Sequence, residues 1–314
     1  TAATTTPTAD TAKLSETPKV NDTVTKPEDV KAIKDAVKVT VPAGQKEPTK
    51  ELVDGGKVVA GTDQSANGGA NNTGKPVVKV EVTYADGSKD VVEVPVEGNT
   101  AATTTPTADT AKLSETPVKD SKVTKAEDVQ KVKEAVKVPE GTQVTDKKLL
   151  EEGKVVEGTD QSANGGANNA GKLVVKVEVT YGDGSKDVVE VPVEASDAAK
   201  ATPKVKEEIT SGEVPVSVDP AKDKKVAEAD KKAITDAVEV PEGQPQPTNK
   251  QVKNDGEIVG GTGANVGKKV VVVEVTYPDG SKDEIEVPVR KETDADKATP
   301  KVKEEITSGE VPVS

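Results

Sequence analysis

The stretch VVKVEVTYADGSKDVVEVPVE, residues 77–97, carries the reading of the fold. Val78, Val80, Val82 and Tyr84 alternate with Lys79, Glu81 and Thr83, the two-residue period of a strand with one face in a core and the other in water. Asp86-Gly87 is a preferred hairpin turn, and Val92, Val94 and Val96 return on the far side. The same hairpin recurs around Tyr181 with Asp183-Gly184 and around Tyr277 with Asp279-Gly280. Pro95, Pro192 and Pro288 lie inside the return strand. Proline cannot donate to a ladder, so that strand is expected at a sheet edge or with its bare side outward. An edge proline also blocks pairing between near-identical neighbours.

Outward from the hairpin, the chain is a tandem repeat. Residues 1–18 (TAATTTPTADTAKLSETP) return unchanged at 100–117, and GTDQSANGGANN at 61–72 returns unchanged at 158–169. KATPKVKEEITSGEVPVS at 200–217 is copied at 297–314. We therefore expect modules at 1–97, 98–194 and 195–292, with a fourth beginning at 293–314, in an excerpt of a longer array. Each module opens on a Thr/Ala/Pro-rich or Lys/Glu-rich lead with turn formers and little periodicity. In the third module the lead is longer and is expected to add a strand through 213–218.

A short helix follows each lead. Thr25 with Glu28, and Thr124 with Glu127, have the spacing of a capping box. Val30, Ile33 and Val37 form one apolar stripe, repeated by Val129, Val132 and Val136 and partly by Ile234 and Val238. Such a stripe serves either a partner or the module's own core, and the core is the expected use. Turns at Pro42-Ala43-Gly44, Pro139-Glu140-Gly141 and Pro241-Glu242-Gly243 then lead to a Gly/Asn-rich loop.

Composition narrows the function. The 314 residues contain no Cys, His, Met, Trp or Phe, three tyrosines, and a formal net charge of −13. A valine-rich interior holds small modules but lines no large pocket. Clustered basic residues that would neutralise phosphates are missing, which argues against nucleic acid. The same charge disfavours anionic lipid, and no long apolar run inserts into a membrane. The chain is expected to be monomeric, with neighbouring repeats as its partners.

The strings VEVTYADGSKDVVEVPVE, VEVTYGDGSKDVVEVPVE and VEVTYPDGSKDEIEVPV resemble the Rib/alpha-like repeats of Gram-positive surface proteins, in a longer variant with a helix-plus-loop insertion. The resemblance implies a mainly β fold of tandem immunoglobulin-like β-sandwich modules, here each with one short α-helix. It also implies that such modules are strung between a distal adhesive region, which would engage any host ligand, and a wall-sorting motif. Neither of those elements is visible in these residues.

No catalytic, cofactor-binding or metal-ligating residue is assigned. Gly69 to Lys75 matches the spacing of a phosphate loop, but Pro76 replaces the Ser or Thr that holds magnesium and a strand follows. Asp86 with Asp90, Asp183 with Asp187, and Asp279 with Asp283, together with Asp294 and Asp296, are candidates for calcium. Calcium needs six to eight converging oxygens, so these aspartates read as turn formers. Nucleophilic catalysis lacks a Cys, a His and a G-x-S-x-G elbow, and paired carboxylates for glycoside hydrolysis lack an aromatic cleft. A Lys–Asn isopeptide crosslink cannot be assigned to residues, because its buried acid is not legible. The expected role is an extracellular stalk on the bacterial surface. The alternative is a repeated adhesin whose loops at 63–72 and 160–169 gain avidity, although they lack Tyr, Trp and Arg.

Overall fold

The computed structural model describes residues 1–62, 71–159 and 168–298. The chain separates into two compact units, residues 1–111 with 118–193, and residues 112–117 with 194 onward. The first unit holds the first repeat and most of the second, and the other holds the third.

In the first repeat the elements are β1 (Thr8–Ala9), β2 (Ala12–Leu14), α1 (Pro27–Ala36), β3 (Val37–Lys38), β4 (Thr49–Leu52), β5 (Val58–Ala60), β6 (Pro76–Thr83) and β7 (Lys89–Gly98). The next repeat begins with one helical turn, α2 (Thr100–Thr103), then β8 (Thr107–Ala108), β9 (Ala111–Leu113), α3 (Ala126–Ala135), β10 (Val136–Lys137), β11 (Val144–Leu149), β12 (Val155–Glu157), β13 (Leu173–Tyr181) and β14 (Lys186–Ala195). The third has α4 (Asp197–Lys200), β15 (Lys204–Val205), β16 (Val214–Val216), α5 (Lys231–Asp236), β17 (Val238–Glu239), β18 (Asn249–Val252), β19 (Ile258–Gly260), β20 (Lys269–Thr276) and β21 (Lys282–Lys291). A further turn, α6 (Asp294–Lys297), follows.

The hairpin reading holds. β6 pairs antiparallel with β7 in the register Val78↔Val94, Val80↔Val92 and Val82↔Asp90. Each repeat builds one five-stranded sheet, ordered β2-β7-β6-β4 with β5 also on β6 in the first. The opposing layer is thin: α1 and a two-stranded ladder of β1 and β3. Val78, Val80, Val82, Val92, Val94 and Val96 meet Leu14, Ile33 and Val37 in the core between them. The third repeat packs Val271, Val273, Val275, Val287 and Val289 against Val216, Ile234 and Val238 in the same way. Each fully buried valine contributes about 1.5–3 kcal/mol, so a ladder of them substitutes for the missing aromatics.

Three expectations change. The leads are not featureless, since all three repeats form the short strand expected only in the third: β2, β9 and β16 (Val214–Val216). Strands of three residues are too short to show a period, and their pairing comes from the partner strand. For the same reason the proline-bearing return strand is not an edge throughout. β2 runs parallel to β7 through Ala12↔Val96, Lys13↔Glu97 and Leu14↔Gly98. β6 pairs with β7 from Lys89 to Pro95 and β2 pairs with it from Val96 to Gly98, so Pro95 sits where the strand passes from one partner to the other.

The capping box is the third correction. α1 starts at Pro27 with Lys26 as N-cap and no side-chain cap, and α3 likewise with Lys125. The missing proline N–H already removes one orphan donor, and the helix entry is pinned by another residue. Asp29, buried in the first turn, accepts from Ser15 N at 2.8 Å and Ser15 Oγ at 2.7 Å. Asp230 holds Ser217 in the third repeat at 3.0 and 2.7 Å. The apolar stripe faces the module's own core, with Ile33, Val132 and Ile234 each fully buried.

This arrangement sets apart two neighbouring residues. Thr25→Ala should shift stability by no more than about 0.5 kcal/mol, whereas Asp29→Ala orphans two donors and should cost about 1–3 kcal/mol. Urea unfolding of the two variants checks this, and equal effects would restore the capping box.

Candidate functional site: hairpin tips and joints

The repeated string Y-x-D-G-S-x-D folds into one compact tip. Tyr84 N donates to Ser88 O and Gly87 N to Tyr84 O, both at 2.9 Å, with Gly87 at φ +82. Asp86 accepts from Ser88 N at 3.1 Å and Ser88 Oγ at 2.6 Å, the side-chain turn for which aspartate is selected. Asp90 accepts from the Tyr84 hydroxyl at 2.8 Å, and Asp187 and Asp283 do the same for Tyr181 and Tyr277.

The aspartates considered for calcium are thus engaged within the fold. Asp294 lies in α6, and Asp296 binds Arg290 through Nη1 and Nη2, both at 2.7 Å, while also accepting from Thr293. Among the described residues no group of three or more acidic side chains is placed to hold a metal ion. Gly69 and Ala70 of the phosphate-loop spacing fall outside the described residues, and Pro76 opens β6.

Two further constellations were not read from the sequence. Glu93 is 6% exposed and accepts from Thr62 N and, at 2.8 Å, from Thr62 Oγ1. Glu190 with Thr159 and Glu286 with Thr262 repeat the pair. Beside it, a Cβ on Gly61 would lie 2.3 Å from Asn72 O, so only glycine permits this crossing. Lys50 Nζ donates to Val37 O at 2.7 Å, matched by Lys147 to Val136 O and Lys250 to Val238 O. Burial pushes the Lys147 and Lys250 amines down. Inward-pointing charges on the outer strands β4, β11 and β18 protect those edges from pairing with other chains. An open groove of about 700 Å³ in the third repeat, between Val205, Lys268, Val272, Ile285 and Glu286, contains no aromatic side chain.

Most of the unabsorbed chemistry lies at the joints. β7 ends at Gly98, and the next residue, Asn99, is already the cap of α2, its side chain accepting from Ala102 N at 2.8 Å. Ser196 caps α4 through Ala199 N at 3.1 Å, and Thr293 forms a full capping box on α6 with Asp296. The residue types were a readable signal, since Asn, Ser and Thr are favoured caps. A four-residue helix is too short for periodicity to reveal.

The beginning of a repeat also touches its own hairpin tip. Thr100 N and Thr100 Oγ1 donate to Asp183 Oδ2 at 2.7 and 2.9 Å, and Ala101 N donates to Ser185 Oγ at 3.0 Å. Burial pushes the Asp183 carboxyl up, but the donors of Ser185 and Thr100 outweigh it and bring it to about 2.

With this geometry in view, the comparisons with known proteins bear on its origin. The family model described as "Rib domain" matches residues 103–197 and 197–291, more than half of the chain. The chain belongs to the Rib domain family. Its repeats are therefore those of Gram-positive surface proteins. C protein alpha-antigen of Streptococcus agalactiae serotype Ia is 34% identical over 264 residues, covering 80% of this chain and 22% of that protein. The chain thus spans about a fifth of the length of this relative. Among solved structures, PcdhgB3 EC1-4 aligns over 69% of this chain and 57% of its own at 12% identity and a TM-score of 0.14. The protocadherin gammaB7 EC3-6 structure aligns over 91% and 77% at 11% identity and a TM-score of 0.15. Likeness at that level carries no argument about this Rib chain.

The tyrosines give the tip a pH signature. Burial first, then the bond to Asp90 and its charge, push the Tyr84 hydroxyl up from 10.0 to about 12, and burial moves Tyr181 and Tyr277 in the same direction. A folded state that holds its proton more tightly contributes stability that is complete below about pH 10 and lost as pH rises toward 12. Replacing all three tyrosines by Phe should cost about 1–3 kcal/mol per repeat at neutral pH and flatten the alkaline decline. Urea midpoints across that range, for the parent and the triple variant, make the comparison; an unchanged alkaline slope would count against the pairing.

Proposed function

We propose that this chain is a structural spacer, a run of modules at 1–97, 98–194 and 195–292 with another opening at 293, and that it works by geometry and not by catalysis. The carrying observation is the parallel pairing of a repeat's lead strand with its last strand, β2 with β7 and β16 with β21. Strands that run the same way bring the chain in at one end of a repeat and out at the other. An antiparallel first and last strand would return the chain to its starting end. β7 has ten residues, and a strand of that length spans roughly 33 Å. Each added repeat therefore adds reach.

The membership in a family of surface repeats supports placing the spacer outside the cell, between the wall and a distal adhesive domain. Wall attachment and the host ligand would both belong to regions beyond these residues. The acidic surface favours the role as well, because like-charged repeats stay soluble and apart. Removal of residues 98–194 in frame tests the proposal. Small-angle scattering should show the maximum dimension fall by roughly one strand length, about 33 Å. A dimension that does not change with repeat number would refute the spacer, and saturable binding of the chain to host glycans or matrix proteins would favour the adhesin instead.

A further inference from the structure

We infer that the joint between the first and second repeats is a two-sided clamp, in which the capped helical turn that opens the second repeat, α2, is held at once by the sheet of the first repeat and by the hairpin tip of its own. These two repeats are therefore coupled in stability and do not open independently. The inference concerns coupling and not reach, so it stands or falls separately from the spacer role.

At the first joint, Asn99 N donates to Leu14 O at 2.7 Å, which extends the ladder between β2 and β7 by one rung. The side chain of the same residue caps α2. The first two residues of α2 then give their backbone donors to Asp183 and Ser185, 83 and 84 residues along the chain. One residue thus separates the end of one sheet from the start of a turn anchored in the next repeat. Gly98 tightens the connection: a Cβ there would lie 2.7 Å from Thr17 Oγ1 and 3.1 Å from Thr103 Cγ2. Its φ is not positive, so it is selected for close packing and not as a pliant link.

Within the second compact unit the same kinds of bond recur on different residues. Ser196 N donates to Leu113 O at 2.8 Å while its hydroxyl caps α4. Asp197 N donates to Asp279 Oδ2 at 2.8 Å, Asp279 N donates back to Asp197 Oδ2 at 3.2 Å, and Ala198 N donates to Ser281 Oγ at 2.9 Å. At the end of the third repeat Glu292 N donates to Val216 O at 2.9 Å, and Thr293 caps α6. There the chain's only arginine adds a bidentate grip on Asp296. The socket of the first repeat is engaged by Ala2 N, 2.9 Å from Ser88 Oγ. The tip string is therefore joint hardware, which accounts for the Asp and Ser that flank every turn glycine.

These bonds are those of a hinge without slack. The orphan donors of a one-turn helix need partners, and in α2 and α4 those partners belong either to the cap or to the tip. Loss of the tip frees the turn, and a frayed turn releases the cap and its bond to the previous sheet.

Amide exchange on the intact chain, read by NMR, tests the clamp through Asp183→Ala. Thr100 loses its acceptor and must exchange faster in any account. Coupling adds that the Asn99 amide, bonded to Leu14 of the preceding repeat, accelerates as well, by about five- to thirty-fold, the scale of one to two kcal/mol. Acceleration confined to Thr100 and Ala101 would overturn the inference and leave the repeats independent. Ser185→Ala removes the acceptor of Ala101 and the hydroxyl that donates to Asp183 Oδ1, leaves Asp183 Oδ2 to accept from Thr100, and gives the same comparison should the first variant unfold its repeat. Asp279→Ala supplies the matched control: Ser196 and Asp197 should respond while Asn99 stays protected, and a response at Asn99 would mark general destabilisation and overturn the clamp.

Discussion

The parallel pairing of the lead strand with the end of the return strand is the constraint on which the architecture turns. A three-residue strand such as β2 has little stability alone. It persists because Leu14, 2% exposed, enters the core and because Asp29 ties the following Ser15 to the helix. Through that pairing the return strand changes character along its length. From Lys89 to Pro95 it pairs with β6 and from Val96 to Gly98 with β2, with Pro95 at the boundary. The proline then has a positional meaning: it sits just before the residues whose backbone groups β2 requires.

Much of this was legible in the sequence, and the reason is strand length. The hairpin is eight residues or more on each arm, so its two-residue period is unmistakable in Val78, Val80 and Val82. The stripe of Ile33 and Val132 was equally plain, because the ten residues of α1 and α3 make nearly three turns, whereas the six-residue α5 kept only the end of it. The lead strands, two or three residues each, carry no period at all; their conformation is imposed by the partner they meet. The capping error has a related origin. Thr25 and Glu28 have the right spacing, but the helix starts one residue later, at Pro27 and equally at Ala126 where no proline stands, and the polar anchor is supplied by Asp29 reaching back to Ser15, fourteen residues earlier.

The candidate site was legible as residues but not as a role. Asp86, Asp183 and Asp279 invited a calcium reading because paired carboxylates beside a turn are also how such ions are held. In the structure Asp86 Oδ1 accepts from the Ser88 amide and hydroxyl and Asp90 Oδ2 from the Tyr84 hydroxyl, the part of a turn former. The hydrogen bonds also dominate over burial in setting the ionisation of Asp183, as expected for a carboxylate whose charged form accepts several donors. No spacing rule could have linked Thr100 to Asp183, because the connection passes through the whole of a folded repeat.

The economy of the joint follows from the problem that near-identical repeats create. Units with the same sequence can exchange strands with their neighbours. A joint held by hydrogen bonds opposes this by rigidity, since β7 is already committed to its own sheet at Gly98 when α2 begins. The inward-pointing Lys50, Lys147 and Lys250 protect the opposite edge of each sheet by a different means: a charge that would have to be stripped of its backbone partner before another strand could dock. Both devices use backbone carbonyls and small polar groups and need no large side chain. An array that must lengthen by copying whole units gains from this, because each copy brings its cap, its tip and its protected edge with it.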